Sequence, residues 1–239
     1  MSDQPTGPVR RVLTTRRGGR SAAPYDSFNL AAGGGDDPVA VQANQIRLAA
    51  TVGLGPDRLV WMDQVHGDHV VVVDGPQRRP IAATDALVTA ARHLVLVVRV
   101  ADCVPVLYAD QRAGIAAVAH AGRPGARAGI ATKVVEEMLR LGSRVEDIDV
   151  LLGPAICGAC YEVPADMQAD LEAHLPGSAC TTSAGTAGLD LRAGLTAALR
   201  SAGVGVVVAD PRCTREDPDL YSYRRDKVTG RFGGLAWIA

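Results

Sequence analysis

At 239 residues, 47% hydrophobic and 21% charged, the sequence has the composition of a globular protein with chain enough for one substantial core, expected as a single domain over 1–239. A formal net charge of −1 gives no reason to expect nucleic acid or an anionic membrane as a partner. The amino-terminal run MSDQPTGPVRR lacks the apolar core of an export signal and no apolar run reaches membrane-spanning length, so a cytoplasmic location is expected.

In chain order, residues 12–15 read as a strand. Gly33-Gly34-Gly35-Asp36-Asp37-Pro38 then offers a helix start, an aspartate cap with proline in the first turn, and the pattern runs to about residue 52. Strands are expected over 59–62, 70–73, 94–100 and 115–118. A helix is expected over 126–141, where Ile130, Val134, Met138 and Leu141 share a face and Gly142 ends it. Shorter helices over 165–174 and 191–202 precede a last strand over 204–208. Near-continuous apolar runs suggest strands covered on both faces. The order predicts an α+β protein in which sheet packs on sheet or helix. No G-x-G-x-x-G or P-loop pattern is present.

Three expected strands lead into a potential metal ligand: Trp61-Met62-Asp63-Gln64-Val65-His66-Gly67, Val100-Ala101-Asp102-Cys103-Val104-Pro105 and Ala117-Val118-Ala119-His120-Ala121-Gly122. Strand ends are rigid mounts, and glycine admits close approach. Two imidazoles and one thiolate suit Zn²⁺ and leave a fourth position open, the arrangement of a catalytic site. Asp102, beside Cys103, is placed to orient a ligand, move a proton or contact substrate. Spacing alone favours hydrogen-bonded histidines and a small core cysteine over the three-ligand site.

Cys157 and Cys160 form a C-x-x-C pair, while Cys180 and Cys213 stand alone in sequence. A zinc ribbon wants a second pair, so the expectation is a tight Gly- and Pro-containing loop with incidental thiols lying near a ligand. Five cysteines in a reducing compartment are expected as free thiols. Trp61, Tyr108, Tyr161, Tyr221 and Tyr223 offer stacking faces for a planar substrate or simple core packing. Arg224 and Arg225 suit either a bidentate grip on phosphate or a solvated turn.

The chain resembles the YfiH-like family, described both as polyphenol oxidoreductases (laccases) and as purine nucleoside phosphorylases. The motifs carrying the resemblance include Thr14-Thr15-Arg16-Arg17-Gly18-Gly19, Tyr25-Asp26-Ser27-Phe28-Asn29-Leu30, Gln64-Val65-His66-Gly67 and Thr84-Asp85-Ala86. Ala101-Asp102-Cys103-Val104-Pro105, Ala119-His120-Ala121-Gly122, Cys160-Tyr161-Glu162-Val163 and Tyr221-Ser222-Tyr223-Arg224-Arg225-Asp226 follow in the same order.

The resemblance implies a layered helix/sheet/sheet/helix fold with mixed sheets, and His66, Cys103 and His120 as metal ligands, with Asp102 beside them. It implies Zn²⁺, with copper as the alternative. The implied activities are phosphorolysis of adenosine, inosine and methylthioadenosine with inorganic phosphate, and deamination of adenosine. Arg16, Asn29, Gln64, Arg224 and Arg225 are the implied substrate-binding residues, Arg16 leading for phosphate. Three other readings are a copper-dependent phenol oxidase, for which five histidines are few, a metal-free Cys103–His120 hydrolase, and a non-enzymatic, zinc-stabilised partner-binding protein. The chain departs from the family where His120-Ala121-Gly122-Arg123-Pro124-Gly125 replaces His-Ala-Gly-Trp-Arg-Gly, and at Gly33, Gln45 and Val100. Those departures imply an altered substrate pocket.

Overall fold

The computed structural model describes residues 8–239; the first seven residues of the polar amino-terminal run, and of the expected 1–239 domain, lie outside the described residues. Strand β1 (Val9–Leu13) is followed by helix α1 (Pro38–Thr51), β2 (Leu59–Trp61), β3 (Val70–Val72), β4 (Ala86–Thr89) and β5 (Val95–Val100). Next come β6 (Val104–Asp110), β7 (Ile115–Ala121), α2 (Arg123–Arg127), α3 (Ile130–Arg140), β8 (Ile148–Leu152) and α4 (Ala165–His174). The chain ends with β9 (Ala179–Thr181), β10 (Ala187–Leu189), α5 (Leu191–Ser201), β11 (Val206–Ala209), α6 (Tyr223–Asp226) and β12 (Phe232–Ile238).

Helix α1 begins as its sequence dictates. The Asp37 carboxylate accepts the Val39 N–H at 3.0 Å, and Pro38 opens the first turn, where its missing N–H costs nothing. The helix expected over 126–141 is instead two, α2 and α3, broken at Gly129, whose φ of +80° no helix accommodates. Helix α4 matches the expected range, and α5 ends one residue earlier.

Two mixed sheets form the centre. One runs β1-β12-β5-β2, with β12 antiparallel to both neighbours and β2 parallel to β5. The other runs β11-β8-β6-β7-β4-β3, antiparallel through its middle and parallel at both edges. Leu96, Val98, Leu107, Val118 and Ala236 fill the space between the sheets. Leu48 of α1 packs with Val95, Val97, Leu235 and Trp237 on one outer face, and Val134, Met138 and Leu195 of α3 and α5 cover the other. This is the expected helix/sheet/sheet/helix order, and it explains why β5, β6 and β7 are apolar nearly throughout.

Strands β4, β6, β8, β9, β10 and β12 were not among the expected ones. Pro105 masks β6, and two glycines mask β12. Gly234 is there because the sheets approach closely: a Cβ on it would meet Leu107 Cδ2 at 3.0 Å and Pro105 Cβ at 3.2 Å, both in β6 of the other sheet. For the site, the decisive feature is the passage from β5 in one sheet to β6 in the other through Ala101-Asp102-Cys103. That corner, the end of β7 and the loop after β2 meet at one edge of the molecule.

Candidate metal centre

His66, Cys103 and His120, brought from these three places, have donor atoms all within 4.8 Å of one another. Cys103 Sγ lies 3.8 Å from His66 Nε2, and the two imidazoles meet edge to face with centroids 4.6 Å apart. Tetrahedral Zn²⁺ spaces a nitrogen and a sulfur ligand about 3.6 Å apart, so the donor set suits that ion in type and in size.

The centre rests on Asp85, which is fully buried at the start of β4. Its carboxylate accepts the backbone N–H groups of Val65 (3.1 Å), His66 (3.0 Å) and Gly67 (2.7 Å). It also accepts His120 Nδ1–H at 2.8 Å, which fixes the tautomer and leaves Nε2 for the site. The same bonds hold His66 in a left-handed conformation, φ 61°, a strain that persists only when the surroundings impose it. Gly122 keeps the cradle open, because a Cβ there would come within 2.6 Å of His66 Cδ2 and 3.2 Å of Cys103 Sγ.

Burial opposes ionisation of Cys103, but the charge of His120 and hydrogen bonds from His120 and His66 outweigh it and bring the thiol down to about 6. Burial likewise opposes protonation of His120, yet the Cys103 thiolate and Asp85 push the imidazole up. Without metal the pair is therefore thiolate and imidazolium. Because the thiol's value is depressed, the reactive thiolate is present above about pH 6 and is lost as pH falls through it. Iodoacetamide labelling of Cys103 in chelator-treated protein is expected to follow that midpoint, with zinc protecting the thiol. A midpoint near the ordinary thiol value of about 8.5 would contradict the electrostatics of the centre.

The centre opens into a cavity of about 510 Å³. Four arginines line it: Arg99, Arg123, Arg224 and Arg231. Burial and repulsion from Arg231 make the Arg99 proton easier to lose, with Asp63 opposing, so an anion between the two guanidiniums would be stabilised. The Arg123 guanidinium has no hydrogen-bond or ion-pair partner among the described residues. The departure Arg123-Pro124 therefore keeps a cation at the cavity, at the first position of α2, where the following proline is accommodated in the first turn.

Of the other expected site residues, Gln64 lines the cavity and pins Arg99, exchanging hydrogen bonds with its backbone O (2.9 Å) and N (3.0 Å). Arg224 also lines it and lies over the Tyr161 ring, 5.2 Å from the centroid. Asp102 sits at φ 88° with its carboxylate filled by Thr214 Oγ1–H (2.6 Å), Ser222 Oγ–H (2.7 Å) and the Arg224 N–H (2.6 Å), which makes it a positioning group.

Three expected substrate-binding residues do not line the cavity. Arg16 is held by Asp26 O at 2.7 Å and stacks on Tyr221. Arg225 donates to the carbonyls of Thr214 and Leu220, both at 2.8 Å, and to Asp226. Asn29 is 1% exposed and accepts the Arg231 N–H at 2.8 Å, thereby setting that arginine. Tyr108 and Tyr221 are core residues, whereas Tyr161 and Tyr223 face the cavity. Sequence reasoning did not single out Asp85, Arg99 or Arg231. Thr84-Asp85-Ala86, an acid opening a buried apolar strand, was the available signal for the first.

No helix among the described residues is long and apolar enough to cross a membrane. Residues 10–239 match the family described as multi-copper polyphenol oxidoreductase laccase. A purine nucleoside phosphorylase of Mycobacterium tuberculosis is 57% identical over 230 residues, covering 96% of this chain and 92% of that one. One of Corynebacterium glutamicum is 52% identical, covering 97% and 95%. The crystal structure of YfiH from Bacillus licheniformis superposes with a TM-score of 0.90 at 30% identity, covering 97% of this chain and 93% of that one. That of YlmD from Geobacillus stearothermophilus superposes at 0.89 with 33% identity, covering 96% and 92%. In sequence and in fold alike, the chain belongs to the YfiH family of polyphenol oxidoreductase and purine nucleoside phosphorylase proteins.

Proposed function

We propose that this chain is a zinc-dependent purine nucleoside phosphorylase that also deaminates adenosine, with adenosine, inosine and methylthioadenosine as substrates. The observation that carries the reading is the convergence of His66, Cys103 and His120 at a cavity that also presents four arginines. The M. tuberculosis and C. glutamicum relatives bear the phosphorylase name. His66, Cys103 and His120 would hold the Zn²⁺, which supplies Lewis-acid polarisation of an oxygen when bound.

In phosphorolysis a phosphate oxygen bonds to the ribose C1′ as the bond to purine N9 breaks. The electron pair leaves with the base, which takes up a proton, and ribose 1-phosphate remains. Arg123 and the Arg99–Arg231 pair hold the phosphate against C1′. Tyr161, braced by Arg224, offers a flat face to the base. Asp85 keeps His120 and the His66 loop in place through its four hydrogen bonds.

Zinc-loaded protein is expected to release ribose 1-phosphate from inosine or adenosine only when phosphate is also supplied, and to convert adenosine to inosine. The absence of both base release and deamination would overturn the reading. Arg123→Ala is expected to lower kcat/KM for phosphate by roughly 10–100-fold, the effect of losing a charge-assisted bond of about 1.5–3 kcal/mol. An unchanged phosphate dependence would place the anion elsewhere in the cavity.

A His₂Cys set also suits copper, and the family description keeps that reading in view. Among the described residues, His69, His93 and His174 belong to neither group of clustered potential ligands, which disfavours a multi-copper centre. Metal analysis of protein grown without added copper, beside a phenol-oxidation assay, separates the two.

A further inference from the structure

The cysteines the sequence left apart are assembled in space. The turn at Cys157 folds back on itself, the N–H groups of Cys160 and Tyr161 both donating to the Cys157 carbonyl at 3.0 Å. Ala155 bridges to Cys213 in parallel, and the Thr214 N–H donates to the Ala155 carbonyl at 3.1 Å. These bonds bring the donor atoms of Cys157, Cys160, Cys213 and Glu216 within 4.8 Å of one another, apart from the His66 centre.

Cys160 Sγ lies 3.4 Å from Glu216 Oε1, close to the edge of about 3.5 Å that a tetrahedral zinc imposes on a sulfur and an oxygen ligand. Among the described residues the Glu216 carboxylate has no cationic partner. The Cys157 N–H donates to Cys213 Sγ at 3.4 Å, as backbone amides support thiolate ligands. Arg215, which donates to the Cys160 carbonyl at 3.3 Å, places positive charge beside a centre that would be anionic with zinc bound.

We propose that Cys157, Cys160, Cys213 and Glu216 form a second, structural zinc site. Four protein ligands close the coordination sphere and leave no position for chemistry. The ion ties the loop carrying Ile156 and Tyr161 to the segment carrying Thr214, Ser222 and Arg224. Tyr161 and Arg224 line the cavity, and Thr214 and Ser222 hold Asp102 beside Cys103. The site fixes one wall of the cavity without touching the reaction.

Zinc measured on purified, dialysed chain tests it, with about two ions per chain expected in the wild type and about one in Cys103→Ala. Cys213→Ser is expected to retain only the ion at the His66 centre, and the double variant neither. If Cys103→Ala binds no zinc, or if mass analysis without reductant finds a disulfide among Cys157, Cys160 and Cys213, the proposal fails.

Should Cys213→Ser not fold, thiol counting on the wild type carries the test. Of the five cysteines, only Cys180 is expected to react with a thiol reagent before chelation. Reaction of Cys157 or Cys160 at that stage overturns the site. Because Cys103→Ala removes the His66 centre, retained zinc there is independent of the phosphorylase reading.

Discussion

Cys103→Ala is expected to abolish one zinc site and to lower phosphorolysis by about 10³-fold or more. A Lewis acid contributes several kcal/mol to a developing charge, and each 1.36 kcal/mol is a factor of ten in rate. The fold should survive, because Cys103 sits half-buried at the corner between β5 and β6 rather than in the fully buried core. The readouts are zinc content, ribose 1-phosphate formation and thermal unfolding of the same preparation. Retained turnover with the metal gone would separate the reaction from the centre. The metal-free hydrolase reading predicts a different pattern, with chelation leaving turnover intact and iodoacetamide destroying it.

The second large effect belongs to a residue that need not touch substrate. Asp85→Ala removes the acceptor for three backbone N–H groups and for His120 Nδ1–H, all at a fully buried position. Leaving such groups unpaired costs about 3–5 kcal/mol. For a chain of this size that lowers Tm by roughly 6–20 °C. Asp85→Asn fills the same volume but offers one acceptor oxygen, and its amide N–H₂ faces other donors. Its zinc affinity is expected to fall about 10–100-fold, the usual consequence of losing a carboxylate behind a ligating histidine.

The pH dependence has a definite sign. Burial raises the Asp85 carboxyl, but His120 and the N–H groups of Gly67 and Val65 prevail and hold it below the ordinary carboxylate range. A depressed acid stabilises the fold above its unfolded value, and that stabilisation is lost as pH falls through the folded one. The stability gap between wild type and Asp85→Asn should therefore be widest at neutral pH and close in strong acid. A gap independent of pH would mean that the carboxylate charge contributes nothing.

The three ligand-bearing strand ends were legible because each couples an apolar run to a histidine or cysteine and a glycine or proline. Spacing alone did not show their convergence, which depends on β5 and β6 lying in different sheets; the family resemblance implied it. Helix α1 was legible through Asp37 and Pro38, local signals that tertiary packing did not override. Strand β12 was hidden because Gly233 and Gly234 interrupt its apolar pattern, whereas their lack of side chains admits Leu30 on one face and Leu107 of the opposing sheet on the other.

Arginine was the hardest residue to place. Arg16 and Arg225 occur in promising motifs yet spend their guanidiniums on Asp26, Asp226 and backbone carbonyls. Arg99 and Arg231, unmarked in the sequence, line the cavity, although each also donates to backbone carbonyls, Arg99 to Met62 and Arg231 to Thr229 and Gly230. Which carbonyls a guanidinium meets is a property of the fold, so residue type and spacing do not distinguish a structural arginine from a binding one. Cys213 shows the same limit, since its neighbours are Cys157 and Cys160 only after the chain has folded.

Anomalous scattering at the zinc edge from crystals of the purified protein tests the central claim most directly. An ion bonded to His66 Nε2, Cys103 Sγ and His120 Nε2 is expected, about 2.0–2.1 Å from each nitrogen and about 2.3 Å from sulfur. Zinc-loaded crystals with no ion bridging those three atoms, or a signal at the copper edge in its place, would contradict it.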